Sequence, residues 1–138
     1  MAATAPTGEV PTGFSDRNTA LDKTNTFYWD KRAWALYPGD VSKATIYHWL
    51  ISPTTDPLAY HGASTGIPHS VKRPLEHRVW YWYPSQSSNS SGVGSYRAPT
   101  KIARVLDDGS TQIWEATYNS VGNLTSQTDP LGRRTTYT

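Results

Sequence analysis

Three closely spaced chain reversals limit what this sequence of 138 residues can become. Asp107-Asp108-Gly109-Ser110, Asn119-Ser120-Val121-Gly122 and Asp129-Pro130-Leu131-Gly132 each separate two short runs rich in β-branched and aromatic residues. Glycine takes positive φ without a Cβ penalty, proline presets its own φ, and Asp or Asn hydrogen-bonds the backbone ahead of it. The runs between them, residues 101–106, 111–118 and 123–128 with another beginning at Arg133, alternate as half-buried strands do. Asp108-Gly109 predicts a hairpin whose two central positions both have positive φ. Parallel strands need long crossovers, so turns this short dictate antiparallel pairing. The fold class is all-β, an antiparallel hairpin ribbon.

Upstream, residues 44–52 place Ile46, His48 and Leu50 on one side and Tyr47, Trp49 and Ile51 on the other. Both faces are largely apolar, which predicts a strand covered on both sides. Residues 77–83 direct Val79, Tyr81 and Tyr83 one way and Trp80 and Trp82 the other, and Pro84 ends the run. Residues 21–37 give a poor helical stripe, and their ring content predicts a hairpin of 24–29 and 32–37 about Asp30-Lys31. Residues 53–68, with three prolines and two glycines, predict a loop, and 85–95 an exposed, flexible one. Residues 1–20 hold only Val10 and Phe14 as sizeable apolar anchors, too little to offset their ordering entropy, and predict a flexible leader. The chain thus divides into that leader, a β-rich segment at 21–73 without a firm assignment, and repeats over 74–138.

Composition removes whole classes of function. With no cysteine there is no disulfide and no thiolate metal site. A net charge of +2, scattered along the chain, gives neither a nucleic-acid stripe nor a polybasic membrane surface. No apolar run approaches the length of a membrane helix. The start, MAATAPTGEV, has neither the cationic nor the apolar region of a secretory signal. Residues 133–138 read as the middle of a strand, which predicts a piece of a longer polypeptide.

Aligning the last two units reveals a period of roughly 20 residues in which Gly109 falls on Gly132. Tyr118-Asn119-x-x-Gly122-Asn123-Leu124-Thr125, then Thr128-Asp129-Pro130-Leu131-Gly132-Arg133 and Thr135-Thr136-Tyr137, resembles the Rhs or YD repeat. That repeat occurs in bacterial Rhs proteins, in the C components of insecticidal toxin complexes and in teneurins. Asn119 stands where the family's name-giving Asp is usual. Residues 102–119 look like the preceding unit and 74–84 like a degenerate third, the resemblance being clearest over 96–138.

The resemblance implies a β-ribbon wound into a hollow shell, secreted or at the cell surface, that encloses or displays a C-terminal toxin domain. Its partners would be the rest of the same repeat protein and that toxin. The structural residues it implies are Gly109, Trp114, Tyr118, Asn119, Gly122, Asn123, Leu124, Asp129, Pro130, Gly132, Arg133 and Tyr137. Trp114, Tyr118 and Tyr137 would pack between ribbon turns.

Catalytic and cofactor patterns are missing. His48, His61, His69 and His77 match no ligand spacing, so no metal is expected. Asp107 and Asp108 sit in a turn that explains them. Gly92-Val93-Gly94 lacks a dinucleotide fingerprint, and no nucleophile elbow occurs. The sequence therefore predicts no enzyme, no cofactor and no nucleic-acid partner. The rival reading is a carbohydrate-binding β-module with Trp80 and Trp82 stacking on cell-surface glycans, against which stands the cost of exposing such rings.

Overall fold

The computed structural model describes residues 9–14, 24–51, 64–86 and 96–138. Eight strands form one sheet, each antiparallel to its neighbour in chain order. They are β1 (Asn25–Tyr28), β2 (Thr45–Ile51), β3 (Ser64–Lys72), β4 (Val79–Trp82), β5 (Lys101–Val105), β6 (Thr111–Tyr118), β7 (Leu124–Thr128) and β8 (Arg134–Thr136). This is the all-β meander that the short reversals require. The sheet runs unbroken across residue 73, so both sides of that boundary share one ladder.

The core is built on both sides of β4. Period-2 alternation directs Trp80 and Trp82 to one face and Tyr81 and Tyr83 to the other. On the first face Trp80 and Ala103 pair across β4 and β5, Ala103 pairs with Ile113 on β6, and Phe14 and Val10 pack onto the row. On the second, Tyr83 meets Leu50 and Ile67, with Tyr81 alongside. The Tyr83 hydroxyl donates to the Pro68 carbonyl at 2.7 Å, and burial pushes its phenol pKa up.

Three sequence expectations fail here for identifiable reasons. The second half of the expected hairpin at 32–37 is a helix, α1 (Lys31–Leu36). Asp30 starts it, its carboxylate accepting from Ala33 N–H at 2.7 Å, and no α1 residue is buried. A helix without a buried face carries no apolar stripe to be read. The expected loop at 53–68 is strand from Ser64 onward. Pro68 is tolerated inside β3 because the β2–β3 register shifts on either side of Trp49, its partner, and a bulged ladder needs no N–H there.

The leader expectation fails over residues 9–14. Phe14 is buried, Pro11 is among the fully enclosed residues, and Glu9 accepts from Trp80 Nε1 at 2.7 Å through its carbonyl. Thr12 N–H adds a bond to Thr111 Oγ1. These six residues cap one face of β4–β6, a role set by contacts about as remote in sequence as the chain allows. The remainder of the leader, and residues 87–95 of the expected flexible loop, lie outside the described residues, as does His61.

Candidate functional site

The turns that organise the ribbon share one construction. In each, a glycine amide donates three residues back: Gly109 to Leu106, Gly122 to Asn119 and Gly132 to Asp129, at 2.9–3.0 Å. The residue that accepts also donates its own N–H one position beyond the glycine: Leu106 to Ser110, Asn119 to Asn123 and Asp129 to Arg133. The glycines lie at φ of +79°, +89° and +78°. This is the three-residue hairpin, a type I turn closed by a left-handed glycine bulge. Among the described residues only Leu75 and Ser85 are non-glycines at positive φ, so Asp108 does not take the conformation expected of it. A type I turn leaves both central residues at negative φ and asks only the fourth for glycine.

Side chains reinforce the same geometry. Asn119 Oδ1 accepts from Val121 and Asn123 N–H at 3.1 and 2.9 Å, and Asp129 Oδ1 from Leu131 and Arg133 N–H at 2.9 and 3.0 Å. Both bonds use an acceptor oxygen that Asn and Asp share, which explains why Asn119 serves where Asp is usual. Arg133 Nε closes onto Asp129 Oδ2 at 2.6 Å, and Pro130 sits at the turn position that its ring prefers. In the first turn Asp108 takes over, accepting from Ser110 N–H at 2.8 Å; the Ser110 hydroxyl first, and this N–H second, hold its carboxyl below the usual carboxylate range.

The predicted rings take different places. Trp114 lies under the Arg104 guanidinium, 5.4 Å from the ring centre. Tyr118 donates to the Pro99 carbonyl at 3.1 Å and packs against Tyr96, with Leu124 opposite it across β6–β7. Tyr137 is 46% exposed, its hydroxyl reaching Gln127 at 3.5 Å. Trp80, proposed from sequence as a glycan platform, is 1% exposed and offers no ring face to a sugar; Trp82 meets Phe14 edge-on at 5.9 Å.

Sequence reasoning missed a buried polar cluster. His48 and His69, on adjacent β2 and β3, are 3% and 1% exposed, with their Nδ1 atoms 3.2 Å apart. One ring's Nδ1–H donates to the other's bare Nδ1. His69 also meets the Trp80 indole edge-on at 5.3 Å. Arg78 donates to Ser70 Oγ at 3.1 Å and faces Glu9 Oε2 at 3.6 Å. The neighbouring cleft, about 230 Å³, is lined by Glu9, His77, Arg78, Val105 and Leu106. Among the described residues no three His, Asp or Glu side chains converge as a metal set. Only the inward position of His48 on an alternating strand signalled the cluster; His69 follows directly on the expected loop at 53–68 and was given no strand.

Burial, then His48 and Arg78, lowers the His69 pKa to about 3 from 6.5. Above about pH 6.5 the ring is neutral folded or unfolded and has no effect on pH dependence. Below that value the unfolded chain takes up a proton that the folded chain refuses, so stability falls with pH down to about 3. Urea midpoints are expected to reveal a loss of about 2 kcal/mol between about pH 6.5 and pH 5. His69→Gln should flatten that slope. A profile equally steep in wild type and variant would contradict a buried, neutral His69.

The RHS Repeat family model matches residues 118–138. The match spans the second and third turns, from Tyr118 through β7 to β8. No curated protein and no solved structure matches the chain. The same bulged turn also closes residues 106–110, upstream of the match. Residues 118–138, headed by Tyr118-Asn119 and turning again at Asp129-Pro130-Leu131-Gly132, are thus similar to an Rhs/YD repeat.

Proposed function

We propose that the chain is a non-catalytic wall segment of a secreted or cell-surface β-shell, enclosing or displaying a C-terminal toxin domain. The observation that carries this reading is the matched repeat itself, seated in a ribbon of identically built hairpins. Such a ribbon buries little by itself. All three residues of β8 are exposed, and Ser126 is the one buried residue of β7. Strands this thin gain their stability from neighbouring turns of the same ribbon, the behaviour of a repeat architecture. Rhs-repeat proteins are generally extracellular or at the cell surface, which fits a chain whose described residues include no helix long and apolar enough to cross a membrane.

The coding frame on both sides of these 138 residues tests the proposal. Further tyrosine-headed units of about 20 residues, followed by a divergent C-terminal domain, are expected. A frame with no additional repeats, or with unrelated domains directly abutting residue 138, would overturn it.

A further inference from the structure

At the bulge between β2 and β3, His48 stands opposite Ser70 and the next residue, Trp49, opposite Pro68, which leaves His69 as the extra residue of β3. Regular alternation would send its ring to the face opposite that of Ser70, but a bulge re-aims a side chain. The ring turns to the side shared by His48, Ser70 and Trp80, and its Nδ1 comes 3.2 Å from that of His48. A column of rings results. His48 and His69 lie edge-on at 5.2 Å between centres, His69 and Trp80 at 5.3 Å, and Trp80 Nε1–H donates to the Glu9 carbonyl at 2.7 Å. The column therefore runs from β2 to the strap of residues 9–14, whose Val10 and Phe14 pack with Trp80.

This column accommodates one proton and resists a second. A neutral imidazole donates through one nitrogen and accepts through the other, whereas an imidazolium donates through both. With one hydrogen between the Nδ1 atoms the pair is satisfied; once both rings are imidazolium, two N–H groups face each other and the contact breaks. His48 on β2 and Arg78 at the entry to β4 both oppose a proton on His69. Glu9, from the strap, faces Arg78 at 3.6 Å, and His77 turns to Asp107 at 3.2 Å. Among the described residues no carboxylate pairs with His69. Because His69 touches both His48 and Trp80, a ring driven off His48 presses on Trp80 and on the bond that ties it to the strap. The strap adds no strand to the sheet, and besides its apolar contacts it is held by Glu9 to Trp80 and Arg78 and by Thr12 to Thr111. A segment tied by so few contacts opens at lower cost than the whole fold.

We propose that residues 9–14 are an acid-released clasp: a second proton on the His48–His69 pair detaches them from the β4–β6 face while the sheet stays folded. Release bares the row of Trp80, Ala103 and Ile113. NMR of the 138-residue chain from pH 7 to pH 4 tests this through the Trp80 indole N–H and the Thr12 and Phe14 amides, with the Ala103–Ile113 cross-strand NOE reporting on the sheet. The strap signals are expected to move to unfolded positions with a midpoint between about pH 6 and pH 4.5, the NOE persisting. His69→Gln should lower that midpoint by at least about one pH unit, a tenfold change in proton activity, and His48→Gln should do the same. Glu9→Gln should leave it in place, because the sensor is the imidazole pair and not the Glu9 carboxylate. Four results would overturn the proposal: strap signals still at their folded positions at pH 4.5, strap and sheet lost at one pH, release by both histidine variants at the wild-type pH, or a transition that Glu9→Gln removes.

Discussion

Trp80→Ala is expected to be the most damaging single substitution among the described residues, removing about 3–5 kcal/mol of stability. The indole is 1% exposed and packs with Phe14 and Ala103. His69 meets it edge-on, and the Arg78 guanidinium lies 5.9 Å from its centre. Truncation would leave a cavity bordered by a buried imidazole pair and a half-satisfied guanidinium, and the Glu9 carbonyl would lose its donor. Natural domains hold only about 5–15 kcal/mol in total, so much of the population is expected to unfold. Trp80→Phe separates the contributions. It keeps a ring but no N–H, and should cost about 1–2 kcal/mol while freeing residues 9–14. Chymotryptic cleavage after Phe14, slow in the wild type, would then accelerate with the sheet still folded. Unaltered cleavage and an unaltered urea midpoint would contradict the anchoring of this segment.

Gly122→Val is expected to cost about 2–4 kcal/mol, against about 1–2 kcal/mol for Gly132→Val. Both glycines have positive φ, where a β-branched residue is strained. The difference arises from what a side chain would meet. At Gly132 a Cβ has open space, whereas at Gly122 it would overlap the Tyr96 hydroxyl and push that ring aside. Tyr96 donates to the Gly122 carbonyl at 3.1 Å and packs against Tyr118, so displacing it also loosens the tyrosine that heads the repeat. Tyr96→Ala in the Gly122→Val background should recover the clash portion and leave the strain. Equal melts for the two glycine variants would show that Tyr96 does not close over the turn.

The C-terminal half of this architecture was legible in the sequence because its determinants are local. A turn that needs Asx at one end and glycine at the other declares itself within five residues, and Asp129-Pro130-Leu131-Gly132-Arg133 contains every partner of its own hydrogen bonds. Even there the turn type was misjudged, since Asp-Gly suits both the two-residue and the three-residue loop, and the choice depends on how β5 and β6 register. The N-terminal half depends on distant partners. Nothing near Glu9 announces that Trp80, 71 residues on, will donate to it. Pro68 reads as a strand breaker until a register shift excuses it, and α1 buries nothing that periodicity could reveal. His69 follows directly on Pro68, where the expected loop ended, so no strand was read through it.

Cross-strand backbone NOEs test whether consecutive glycine-bulged hairpins join β5 to β8 in chain order within one open sheet. Contacts are expected between Ala103 and Ile113, Thr117 and Ser126, and Gln127 and Thr135, each pair directly opposed in the ladder. None is expected between β8 and β1, the two outer strands. Helical i to i+3 connectivities across residues 101–136, or NOEs joining Thr135 to Thr26, would contradict that arrangement.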